Sequence, residues 1–96
     1  MIYDGNKTVA AAGTAEALMS SRTPASWVTV QALLTNTSSV YVGASTVDSG
    51  RGIELPSALD SWSIPELGGP TYLDLSTIYV DAAVNGEGVK FIYGRR

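Results

Sequence analysis

The chain has 96 residues, 45% of them hydrophobic and 16% charged, a balance that suits one globular domain with a single core. Six basic and nine acidic residues give a net charge of −3 with no basic run, so neither nucleic acid nor an anionic membrane is an expected partner. Cys and His are both absent, which excludes disulfides, zinc knuckles, thiol nucleophiles and the usual imidazole base. No cofactor or metal is expected, and neither is a signal peptide or membrane span, because the apolar stretches fall far short of about 20 residues.

In chain order, Asp4-Gly5-Asn6 reads as a turn, and residues 1–6 and 94–96 as frayed tails of a single β domain over 1–96. Ala10 to Ser21 has helical propensity in its Ala, Leu, Met and Glu. Gly13 interrupts the run, however, and an edge strand with a bulge near it is favoured over a helix. Trp27-Val28-Thr29-Val30-Gln31-Ala32-Leu33-Leu34 alternates, with Val28, Val30 and Ala32 on one face and Trp27, Thr29 and Gln31 on the other. The short Asn36-Thr37 loop then reads as a hairpin connection to Ser39-Val40-Tyr41-Val42-Gly43. Shorter strands are expected over Gly52–Leu55 and Asp60–Ile64. Ile78-Tyr79-Val80-Asp81-Ala82 alternates again, and Asn85-Gly86 signals a hairpin into Val89-Lys90-Phe91-Ile92-Tyr93. Six or seven short strands in one small chain predict an all-β fold, a small antiparallel β-sandwich or open barrel.

If the valines of these strands form the core, Trp27, Tyr41 and Tyr79 lie on outward faces with few charges between them. Together with Trp62 and Tyr72 they are the candidate interface residues, expected to be covered by another protein, the plain alternative being that both sheet faces are covered within the one chain.

Several segments, taken in order, resemble the small virion structural proteins of tailed bacteriophages. They are Val28-Thr29-Val30-Gln31-Ala32-Leu33 with Asn36, Val40-Tyr41-Val42-Gly43 and Gly52-Ile53-Glu54-Leu55, then Ile78-Tyr79-Val80-Asp81-Ala82 and Asn85-Gly86-Glu87-Gly88-Val89. The similarity spans roughly residues 7–93, and the stretch Leu59 to Leu75, with Leu67-Gly68-Gly69-Pro70, is longer than the family's usual connection. The resemblance implies a β-sandwich-like, non-enzymatic protein on the outer capsid surface. A decoration or cement protein bound across major capsid protein subunits is the first expectation, and a head–tail neck or tail-fibre anchoring protein the second. Self-association, as a trimer among other forms, is implied as well.

Other chemistries are weaker in the residues. Asp48-Ser49-Gly50 matches the Asp-Ser/Thr-Gly motif of retroviral-type aspartic proteases, which need neither His nor Cys. Gly43-Ala44-Ser45-Thr46 ahead of it and Arg51-Gly52 behind it depart from that pattern, and the tripeptide reads as a turn. A carbohydrate-binding module would stack sugars on Trp27, Tyr41, Trp62 or Tyr72, whereas the plain alternative packs Trp62 in the core. Asp4-Gly5-Asn6 lacks the ligand series of a calcium loop, and Asp74 with Asp81 is no better as a metal site. Asp81 is expected to face solvent or a partner, Glu87 to pair with Lys90 at the surface, and Arg95-Arg96 to form a solvated tail.

Overall fold

Alternation of branched apolar and polar residues sets the strands, because successive side chains on a pleated backbone point to opposite faces. A computed structural model describes residues 1–65 and 73–95 of the chain. Among these residues there are ten strand segments: β1 (Ile2–Thr8), β2 (Glu16–Ala17), β3 (Pro24–Ala25), β4 (Trp27–Ala32), β5 (Val40–Gly43), β6 (Ile53–Leu55), β7 (Ser61–Ile64), β8 (Leu73–Asp74), β9 (Tyr79–Ala82) and β10 (Gly88–Gly94). The count exceeds the expected six or seven because β2, β3 and β8 are two-residue pairings that propensity does not mark.

The fold is all-β and antiparallel. One four-stranded sheet runs β1-β10-β4-β7, a second runs β2-β9-β5-β6, and β3 pairs with β8 in a small third sheet. The inward residues Val28, Val30, Ala32, Val89 and Phe91 of the first sheet meet Val40, Val42, Leu55, Val80 and Ala82 of the second in one core. This is the sandwich arrangement, two sheets joined by the faces that carry their apolar residues. The alternation expected for 27–32 holds residue by residue: Val28, Val30 and Ala32 are buried, and Trp27, Thr29 and Gln31 are half-buried on the other face.

Both expected hairpins are absent. β4 and β5 lie in different sheets, as do β9 and β10, so the Asn36-Thr37 and Asn85-Gly86 segments carry the chain across the sandwich. At the second crossing the Glu87 amide donates to the Val84 carbonyl at 3.3 Å, and only Gly86 has positive φ, at +83°. A two-residue hairpin of the expected type needs positive φ at both central positions; a single positive-φ glycine at the third turn position suits a turn that redirects the chain. The Gly86 amide also donates to the Val9 carbonyl at 2.7 Å, which ties this crossing to the end of β1.

The N-terminal expectations change too. Asp4-Gly5-Asn6 is the middle of β1, not a turn, and neither residues 1–6 nor residues 94 and 95 are a frayed or solvated tail: β1 pairs with β10 from Ile2↔Gly94 to Thr8↔Gly88, and the backbones of Met1 and Arg95 bond to each other. Gly5 serves the aromatic ring opposite, since a Cβ there would meet Phe91 Cζ at 2.8 Å. Beside it, the Tyr3 ring stacks on Tyr93 at 5.2 Å, and Tyr93 on Phe91 at 6.0 Å. The Ala10 to Ser21 segment contains no helix. After β1 it turns at Gly13, whose φ is +89°, and β2 joins the opposite sheet beside β9. The expected bulge is therefore a full change of sheet.

The expected strands at Gly52–Leu55 and Asp60–Ile64 appear as β6 and β7. The Leu67-Gly68-Gly69-Pro70 connection and Tyr72 lie outside the described residues.

Candidate interaction surfaces

The candidate residues do not form one patch. Trp27 sits on the outer face of the first sheet, opposite Gly94, whose missing side chain leaves the space the indole occupies. Tyr41 and Tyr79 lie on the outer face of the second sheet. Tyr41 is opposite Asp81 and Tyr79 opposite Gly43 across β5 and β9, so the two tyrosines are diagonal neighbours. Both are half-buried. Trp62 turns the other way: it faces Val30 across β4 and packs against the core.

Asp81 is the residue the sequence reading placed least well. It points outward from β9 yet is only 2% exposed, because the 10–14 turn folds over it. Its Oδ1 accepts from the Gly13 amide at 2.9 Å and from the Ala82 amide at 2.8 Å. Next to it the Asn85 Oδ1 accepts from the Ala12 amide at 2.7 Å. These bonds pin the turn onto the sheet and leave a shallow pocket of about 320 Å³ between Gly13, Tyr41, Ser49 and Asp81.

Glu87 likewise departs from its expected partner, Lys90. Its carboxylate accepts from the Thr37 hydroxyl and the Thr37 amide, both at 2.7 Å, and from the Ser38 amide at 3.2 Å. The Thr37 hydroxyl foremost, then the Thr37 and Ser38 amides, hold its pKa below the ordinary glutamate value against the opposing effect of desolvation. Asn36 completes the latch, donating from Nδ2 to the Gly88 carbonyl at 2.8 Å and accepting from the Gly88 amide at 3.2 Å. The Leu33 carbonyl, which would otherwise receive that amide in the ladder, is taken by the Asn36 amide. The first crossing is therefore clamped to the start of β10.

Asp74 and Asp81 are each used locally. Asp74 caps a short 3-10 turn, Leu75–Thr77, and its Oδ1 accepts from the amides of Thr23 and Ser76 at 3.0 Å each and from the Ser76 hydroxyl at 2.7 Å. The Thr23 amide foremost, then the Ser76 hydroxyl and amide, lower its pKa. Asp48-Ser49-Gly50 is a tight exposed turn: Asp48 Oδ1 accepts from the Gly50 amide at 2.8 Å, and the Asp48 carbonyl accepts from the Arg51 amide at 3.2 Å. Among the described residues no cluster of three or more acidic side chains is placed to hold a metal ion.

The outer face of the first sheet is mixed, its polar side chains interrupted by Trp27 and by the exposed Ile2 and Ile92. A groove of about 410 Å³ runs over Asp4, Thr29, Gln31, Ser61, Lys90 and Ile92, with Phe91 the aromatic that borders it. The aromatics named for sugar stacking are thus dispersed: Trp62 faces the core, Tyr41 lies on the opposite sheet, and Tyr72 falls outside the described residues.

No protein-family model, curated protein or solved structure matches the chain.

Proposed function

We propose that the chain is a structural protein of a tailed-phage particle, a capsid decoration or cement protein that binds across neighbouring capsid subunits. The observation carrying this reading is the pair of adjacent half-buried tyrosines, Tyr41 and Tyr79, on the outer face of the second sheet. Tyrosine offers a large, stiff contact area with a polar tip, and it is enriched where one protein covers another. The resemblance of these segments, in their order, to small virion proteins of tailed phages supports the same reading. Repetition over a capsid lattice would multiply a modest contact into a large effect on shell stability. A neck or tail-fibre anchoring role uses the same face and is the second form of this proposal.

Mutant melts set beside particle binding test it. Tyr41→Ala and Tyr79→Ala should weaken attachment to particles at least tenfold while leaving the free protein's melting temperature within a few degrees. Trp62→Ala should do the reverse, because its ring packs on the core. Attachment untouched by both tyrosine variants would remove this face from the interface and the proposal with it.

A further inference from the structure

We propose that the outer edge of β1 pairs with the same edge of a second copy of the chain, antiparallel, about a two-fold axis through Gly5. The proposal rests on the edge geometry alone and not on the virion reading.

β1 is the terminal strand of its sheet. Which of its backbone groups are free follows from the bonds at its two ends. Met1 and Arg95 exchange both hydrogen bonds at 3.0 Å, and the Val9 amide donates to the Glu87 carbonyl at 2.9 Å. In an antiparallel ladder bonded pairs alternate, so Tyr3, Gly5 and Lys7 bond to β10 while Ile2, Asp4, Asn6 and Thr8 turn their amides and carbonyls away from it. An edge of this kind is a template for another strand. Its four outward residues are all exposed.

The side chains choose the occupant and the register. In a continuous sheet, residues facing each other across the new pair must share a face, so only even shifts are allowed. With Gly5 opposite Gly5, Ile2 faces Thr8 and Asp4 faces Asn6 of the second copy, and these are the residues whose backbone groups are free among the described residues. The Asp4 carboxylate then meets an amide donor, twice by symmetry. Sliding two residues one way sets Asp4 against Asp4, a like-charge pair that disfavours that register. Sliding the other way sets Asn6 against Asn6 and leaves Ile2 without a partner.

The inner side of the edge has room for the second copy. There Tyr3 of the second copy stands opposite Lys7, which is held at 3.0 Å from Glu16. Beneath lies a groove of about 540 Å³ bordered by Lys7, Glu16, Leu18, Met19 and Tyr79. Tyr3, 40% exposed in the single chain, gains a cation beside its ring. The pairing closes at two copies, in place of the trimer that the family resemblance allows.

The test is sedimentation velocity of the full chain over a concentration series. A dimer of about 20 kDa, twice the 10.0 kDa of the chain, is expected. Asn6→Asp places a carboxylate opposite Asp4 at both symmetric positions and should weaken dimerisation on the order of tenfold or more. The combined swap Asp4→Asn with Asn6→Asp restores one amide and one carboxylate per pair and should recover the wild-type dissociation constant. All these positions are exposed, and thermal melts check that each variant folds. A monomer at every concentration, a trimer, an Asn6→Asp protein that dimerises like wild type, or a swap that fails to recover would each overturn the proposal.

Discussion

Asn36→Ala removes the side chain that completes the ladder at Gly88, and its cost can be worked from two bonds. The Nδ2 donation to the Gly88 carbonyl at 2.8 Å is lost, but that carbonyl keeps the Leu33 amide at 3.1 Å. The Gly88 amide fares worse: it loses its acceptor at 3.2 Å while its residue stays buried. At about 1 kcal/mol for each net hydrogen bond, with more for a buried donor left unpaired, the loss is about 2 kcal/mol. For a domain of this size that lowers the melting temperature by roughly 8–16 °C. Asn36→Asp keeps the acceptor, loses the donor and adds a charge next to the Glu87 latch, so it should destabilise at least as much. Thr35→Ala, at an exposed neighbour, should stay within about 0.5 kcal/mol. Circular-dichroism melts of the three variants check this. A loss below about 0.5 kcal/mol for Asn36→Ala would refute the view that the crossing is clamped through Gly88.

Acid should weaken the fold through Glu16, Asp74 and Glu87. Hydrogen bonds hold all three pKa values below their unfolded values, so their contribution is present at neutral pH and is lost as the pH falls below about 4 and through the folded values. Urea titrations from pH 7 to pH 2 should show this decline, and Glu87→Gln should reduce it; an unchanged acid limb in that variant would count against the latch. Gly5→Ala should cost about 1–3 kcal/mol by forcing its methyl onto the Phe91 ring, read as a lower melting temperature with a near-UV change. Leu59→Gly should raise stability by up to about 1 kcal/mol, because Leu59 holds a left-handed φ of 69° while its side chain is 45% exposed. A destabilised Leu59→Gly protein would mean that the exposed leucine contributes packing that outweighs its strain.

The strands were readable in the sequence where one face is buried and the other is not. Trp27–Ala32 and Val40–Gly43 show their inward valines as a two-residue period, and the structure buries those valines. Pairing was not readable, because it depends on residues distant in the chain. The Asn36-Thr37 segment looks like a local hairpin until Glu87 and Gly88, about fifty positions on, supply the groups that hold it. Asp81 reads as a surface acid by alternation alone, and it is covered by a turn 68 residues earlier through the Gly13 amide. Gly5 looks like a turn residue until Phe91 is laid over it. In the candidate interface, alternation correctly turns Tyr41 and Tyr79 outward, but it could not show that Trp27 lies on the opposite sheet or that Trp62 faces the core.

The central functional claim is attachment to a phage particle, and copy number tests it most directly. Quantitative mass spectrometry of purified particles from the source lysate should find the chain at a ratio near that of the major capsid protein. A handful of copies per particle would place it at the neck, tail or fibre base. Complete absence from the particles would contradict the claim.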